Sequence, residues 1–203
     1  MARKPKAIVI PELPNAPALD FAPGDLWVFG YGSLMWRPGF PYVEAKGATL
    51  YGYHRALCLW SYHYRGTPAK PGLVFGLDAG GACRGRAFRV AARHRVRVVR
   101  YLYRRELISY VYVPKLHRVH PDGRGPVRAL IFVADRDNPQ YAGKLSVRRA
   151  AAIMAVAAGR TGTARDYLAS TVAHLDALGI RDGAAHAVHE RVMQLPASRR
   201  RRG

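Results

Sequence analysis

The feature that most narrows the fold of this 203-residue chain is a change of period at Asp135. Before it, apolar or alternating stretches at 26–30, 47–60, 73–77, 85–90, 110–119 and 127–134 carry the β-branched and aromatic residues of strands. Residues 78–82, between two of these stretches, read as a turn that pairs them. One segment in this half departs from the pattern: Val96, Val99, Tyr103 and Leu107 recur at helical spacing across 93–107, a helix ending near Glu106. After Asp135 the pattern is helical, at 146–159, 163–178 and 183–195, with Ser146 and Thr163 as N-caps. The expected fold class is α+β, a mixed sheet closed toward a small barrel with flanking helices.

Residues 1–25 hold Pro11, Pro14, Pro17 and Pro23 and read as an irregular arm. Residues 26–195 form the expected folded domain, and 196–203 a basic, disordered tail. At 49% hydrophobic the chain is long enough to bury a real core. No apolar run approaches the ~20 residues of a membrane helix, and the stretch Ala7–Ile10, stopped by Pro11, is too short for a signal peptide. Cys58 and Cys83 read as two reduced thiols of a cytoplasmic protein. The formal charge of +20 comes mostly from arginine. It suits a nucleic-acid surface or a composition biased toward arginine on solvated faces; its spread along the chain favours the second and disfavours a nucleic-acid partner. The sequence leaves the oligomeric state open.

Chemistry concentrates first in Phe29-Gly-Tyr-Gly-Ser-Leu34, where an apolar strand empties into two glycines around a tyrosine. Glycines let backbone approach a ligand, and successive amides in such a turn form an anion-binding concavity. A tight turn with Ser33 capping the next segment fits the same residues. The loop is neither a Walker motif nor a dinucleotide fingerprint, since the required lysine and glycine spacings are missing. Far downstream, Glu106 closes the expected helix 93–107 in a chain with only 13 acidic residues. Its alternatives are an acid/base group or an exposed partner of Arg104 or Arg105; Glu44 and Glu190 are weaker competitors. Arg55, among Tyr53, Leu57 and Trp60, and Arg65, before the rigid Gly66-Thr-Pro68, suit polar contacts to a ligand or structural salt bridges. Of the eight histidines, His117 and His120 fall on opposite faces of a strand, and His186 and His189 share a helix face without a third ligand nearby in sequence, so no metal is expected.

Five blocks in order, Trp27-Val-Phe-Gly-Tyr-Gly-Ser-Leu-Met-Trp36, Phe40-Pro-Tyr42, Tyr53-His-Arg55, Tyr64-Arg-Gly-Thr-Pro-Ala-Lys-Pro-Gly72 and Tyr101-Leu-Tyr-Arg-Arg-Glu106, resemble the ChaC family of glutathione-specific γ-glutamylcyclotransferases. The likeness runs from about Leu26 to the 137–143 segment and continues more weakly through the C-terminal helices. It implies a γ-glutamylcyclotransferase-like fold and a carbon–nitrogen lyase that cleaves glutathione to 5-oxoproline and Cys-Gly. It assigns Glu106 as the acid/base, and Tyr31, Gly32, Ser33 and Leu34 as the loop holding the substrate's α-carboxylate. Arg55, Arg65 and Tyr112 become candidate substrate contacts, with no metal or cofactor. The chain departs from the pattern after Glu106, where many relatives have two glycines before a tyrosine and this chain reads Leu107-Ile-Ser-Tyr-Val-Tyr112. Tyr112-Val-Pro114 matches bacterial-type members and favours Tyr112 over Tyr110. A second reading is a cyclotransferase on another γ-glutamyl amine or amino acid. A third, of another class, is a basic RNA-binding module on the same fold.

Overall fold

A computed structural model describes Pro17 and residues 19–196. All but the first residue of the basic tail expected at 196–203, and most of the arm expected at 1–25, lie outside the described residues. The chain divides into two compact units: one holds the residues up to His54 and Leu77–Asp135, the other Arg55–Gly76 and the residues from Arg136 on.

A closed five-stranded barrel, in the order β1-β3-β2-β4-β5, holds the strands of the first unit; the ends of two of them, residues 55–61 and 72–76, belong to the second. The barrel strands are β1 (Leu26–Gly30), β2 (Glu44–Ser61), β3 (Gly72–Val90), β4 (Tyr112–Pro121) and β5 (Val127–Ala134). β1 runs antiparallel to β3, from Leu26 opposite Val90 to Gly30 opposite Arg86. It closes the barrel by pairing in parallel with β5, Trp27 opposite Ala129 and Val28 opposite Leu130. All five β1 residues are buried, which is why the strand reads as an unbroken apolar run rather than an alternation.

The helix expected at 93–107 is α1 (Arg95–Glu106). Val98, Val99, Leu102 and Tyr103 of α1 pack with Val28, Phe40, Phe88, Leu130 and Phe132 in one cluster. At ~1.5–3 kcal/mol per fully buried large apolar side chain, this face anchors the helix. Val96, counted on that face from its spacing, is instead about half exposed; the buried stripe follows 98, 99, 102 and 103, one step round the helix. The Tyr103 hydroxyl donates to the Pro17 carbonyl at 3.1 Å, and burial pushes this phenol up to about 12.

The turn expected at 78–82 is absent, because β3 runs unbroken for 19 residues. Gly80 and Gly81 have φ of +99° and +69°. These values are open to glycine at little cost and bend the strand without reversing it. The His54 ring Nδ1 donates to the Gly80 carbonyl at 3.0 Å across this bend.

The second unit carries α2 (Val147–Val156), α3 (Ala164–Ala177) and α4 (Gly183–Met193), with a two-strand ribbon, Ala158–Gly159 against Gly162–Thr163, before α3. Both expected caps form: Ser146 Oγ accepts from the Arg149 amide at 3.2 Å and Thr163 Oγ1 from the Asp166 amide at 2.9 Å. A third, Asp182, accepts from the Ala185 amide through Oδ1 at 3.1 Å and opens α4. Backbones in this unit approach so closely that Gly66, Gly72 and Gly159 admit no side chain. A Cβ on Gly159 would lie 2.6 Å from the Tyr64 carbonyl, and one on Gly66 would strike the Gly72 nitrogen.

Candidate active site

Strand β1 delivers the glycine loop at the barrel's edge. Gly30 ends the strand where a Cβ would lie 3.0 Å from Leu34 Cβ and 3.2 Å from the Met35 nitrogen, so a side chain here would crowd the turn as the chain folds back. Ser33–Met35 then form one 3-10 turn. The Met35 amide donates to the Gly32 carbonyl at 2.9 Å, and the Arg37 amide to the Ser33 carbonyl at 2.8 Å. The amides of Ser33 and Leu34 precede the first bond of that turn, the position from which helical N–H groups point outward. Tyr31 and Leu34 are buried, while Ser33 is exposed.

Glu106 is the last residue of α1, and its side chain is only 17% exposed. Burial raises its carboxyl above the ordinary value, while the charge and hydrogen bond of Arg105 pull it back down. Arg105 Nε meets Glu106 Oε1 at 3.1 Å. The same guanidinium donates through Nη2 to Ser33 Oγ at 2.9 Å. Through Nη1 it reaches the Arg37 carbonyl at 2.7 Å and the Tyr101 hydroxyl at 3.0 Å. Thus one arginine links the glycine loop to the buried carboxyl. In the sequence Arg105 stood only as a possible neutralising partner of Glu106; its reach to Ser33, 72 positions away, left no local trace.

Tyr112 opens β4 opposite Ala134. It is partly buried and packs against the cluster that holds α1. Before it, Tyr110 has φ of +51°, the left-handed conformation that glycine adopts most easily. The segment between Glu106 and Tyr112 holds no glycine, yet it takes a glycine-like turn.

Arg55 and Arg65 belong to the second unit. The Arg55 side chain has no exposed surface and pairs with Asp182 through Nη1 and Oδ2 at 2.5 Å. Arg65 donates to the Thr161 carbonyl at 2.8 Å and lies over the Tyr167 ring, 5.1 Å from its centroid. The two competing acids sit elsewhere: Glu44 in a partly exposed cluster with Arg89, Lys46 and Arg124, and Glu190 exposed on α4.

A family model described as ChaC-like protein matches residues 26–195. The chain belongs to the ChaC-like family. It is 36% identical over 159 residues, 78% of its length and 69% of the relative's, to the glutathione-specific gamma-glutamylcyclotransferase of Escherichia coli (strain K12). It is 33% identical over 156 residues, covering 75% and 70% of the two chains, to glutathione-specific gamma-glutamylcyclotransferase 1 of Homo sapiens. In three dimensions it resembles the crystal structure of a glutathione-specific γ-glutamyl cyclotransferase from yeast, with TM-score 0.76 and 22% identity over 84% of this chain and 96% of that one. The fold of this ChaC-like chain is therefore the γ-glutamylcyclotransferase fold. Among its described residues, no helix is long and apolar enough to cross a membrane.

Proposed function

We propose that this chain is a glutathione-specific γ-glutamylcyclotransferase, a lyase that converts glutathione to 5-oxoproline and Cys-Gly. The observation that carries the mechanistic reading is the Ser33–Arg105–Glu106 linkage, which ties a buried carboxyl of raised pKa to a glycine-flanked loop.

The reaction is intramolecular. The α-amine of the γ-glutamyl group attacks its own γ-carbonyl carbon, a C–N bond closes the five-membered ring, and the amide C–N bond to the cysteinyl nitrogen breaks. Because both reacting groups lie in one molecule, the protein's task is to hold the substrate folded in attack geometry. The loop Tyr31–Leu34 would do this by gripping the α-carboxylate with its outward amides and the Ser33 hydroxyl.

Two proton transfers remain: one proton leaves the attacking amine, and one must reach the departing nitrogen. A single carboxyl serves both in turn, first as base and then as acid, and works best when its pKa lies close to the operating pH. The burial of Glu106 moves its carboxyl in that direction, and the attraction of Arg105 limits the rise. Tyr112 is assigned a contact to the rest of the substrate. Arg55, fully buried against Asp182, is assigned to holding the fold. On this reading the enzyme acts in the cytoplasm.

The test is incubation of the purified protein with glutathione, γ-glutamyl-alanine and γ-glutamyl-lysine, following 5-oxoproline. Release from glutathione alone is expected. Release from another compound but not from glutathione moves the substrate assignment, and no release from any of the three overturns the cyclotransferase reading.

A further inference from the structure

We propose that Arg105 is the positioning residue of this site, a single guanidinium that sets the donor sense of the Ser33 hydroxyl and selects the working oxygen of Glu106. The proposal rests on the cyclotransferase reading above. Its ground is a count of donors and acceptors. A guanidinium carries five N–H donors in a rigid plane and accepts nothing, so every polar contact it makes is a donation.

At Ser33 this fixes a direction that a hydroxyl otherwise chooses freely. Nη2 fills a lone pair of Ser33 Oγ at 2.9 Å. Oγ accepts from Arg105, and its own proton turns away from the guanidinium, free to donate to a carboxylate. At Glu106, Nε occupies Oε1 at 3.1 Å. Among the described residues none engages Oε2, which leaves that oxygen to carry the proton. The one charge acting on the carboxyl among those residues is that of Arg105 on its own helix; none reaches it from the loop or from β4.

The remaining donors hold the frame in register. Nη1 reaches the Arg37 carbonyl at 2.7 Å, the Pro38 carbonyl at 3.3 Å and the Tyr101 hydroxyl at 3.0 Å. Tyr101 lies one helical turn before Arg105 on the same face of α1. Its hydroxyl occupies the space a side chain at Gly39 would take. Loop and helix are thereby latched at three points by one rigid plane. A lysine, with one ammonium on a flexible stem, supplies the charge but not the span.

The experiment compares wild type, Arg105→Gln, Arg105→Lys, Ser33→Ala and the Ser33→Ala/Arg105→Gln double variant. Steady-state kinetics on glutathione are measured across pH, together with a ¹³C NMR titration of the Glu106 carboxyl. Hydrogen bonds to charged groups are worth enough that Arg105→Gln is expected to lower kcat/KM about 10–150-fold, with KM raised and kcat lowered. It is expected to move the Glu106 titration to higher pH, because the charge that held it down is gone. Arg105→Lys is expected to restore the titration but not KM. Ser33→Ala should cost less in the Arg105→Gln background than alone, since the hydroxyl has already lost its orientation. Arg105→Gln with wild-type kinetics and titration overturns the proposal, as does multiplication of the two single effects. If Arg105→Gln does not fold, Arg105→Lys decides: a wild-type KM there also overturns it. Wild type that releases no 5-oxoproline overturns the cyclotransferase reading instead, and the NMR titration still judges Arg105.

Discussion

Each unit of this molecule sets a carboxylate at one end of a helix and brings an arginine to it, and the two pairs are used in opposite ways. In the helical unit, Asp182 spends both oxygens: Oδ1 caps α4 through the Ala185 amide and Oδ2 meets the buried Arg55. In the barrel unit, Glu106 closes α1 with one oxygen on Arg105 and with its pKa raised by burial. Asp182 accepts from an N-terminal amide, where a negative charge is favoured by the helix dipole. Glu106 sits at a C-terminus, where the dipole disfavours it. A carboxylate saturated with donors at the favourable end holds structure, whereas one left part-satisfied at the unfavourable end is poised to take up a proton.

The sharpest way to break this contrast is Asp182→Ala. It removes a helix cap and a charged partner of a fully buried guanidinium, so unfolding in urea should show a loss of about 3–5 kcal/mol. Asp182→Asn retains an acceptor for the cap and separates the two contributions. If it is within ~1 kcal/mol of wild type, the ion pair matters little and the contrast fails on the structural side.

Glu106→Gln should do the reverse, lowering 5-oxoproline release by at least ~10²-fold while the protein stays folded. Near-normal turnover in a folded Glu106→Gln protein would remove Glu106 from the chemistry.

A pH series sharpens the comparison further. Burial holds the folded-state pKa of Glu106 above the ordinary glutamate value, so the native state binds more protons than the unfolded chain in the window between the two. Stability contributed by this group is present below the unfolded value and is lost as pH rises through the folded one. Glu106→Gln removes that loss. It should raise the melting temperature at neutral pH, with the gain fading below pH ~4.3. A variant less stable than wild type at pH 7 would show that Arg105 more than offsets the burial of the charge.

The smallest expected effect is at Tyr110. Its φ of +51° and its exposure suggest that Tyr110→Gly relieves backbone strain while sacrificing little packing. A gain of about 0.5–1 kcal/mol in thermal or urea unfolding is expected. A loss would mean that the tyrosine ring contributes more than its backbone conformation costs.

How far these features could be read from the residues depends on how local their causes are. β1, the long β2 and the caps Ser146 and Thr163 follow from neighbouring residues and appear where the pattern puts them. Gly80-Gly81 is ambiguous for a physical reason: positive φ serves a reversing turn and a bulged strand equally well, and only the pairing across the strand decides between them. The Arg55–Asp182 pair joins residues 127 positions apart, so the sequence left Arg55 between ligand contact and salt bridge. The helical cap at Asp182 went unread for a simpler reason, since an aspartate before glycine looks like any loop. The Glu106–Arg105 contact is the least expected on helical geometry, because adjacent residues on a helix do not face each other. It arises where α1 ends and the regular spacing stops.

The division of the chain also has a consequence for biosynthesis. Every residue of the barrel unit, including Glu106 and the loop before it, has been made by the time Asp135 is added, while the helical unit still lacks everything from Arg136 on. Arg55 therefore leaves the ribosome 127 residues ahead of Asp182, with which it pairs. At ~5–20 residues per second that interval is on the order of ten seconds. During it the nascent chain carries the strand segments of its second unit with no helices to cover them, so the unit that holds Glu106 and the glycine loop is complete first and the other is the one most exposed to misassembly and chaperone capture.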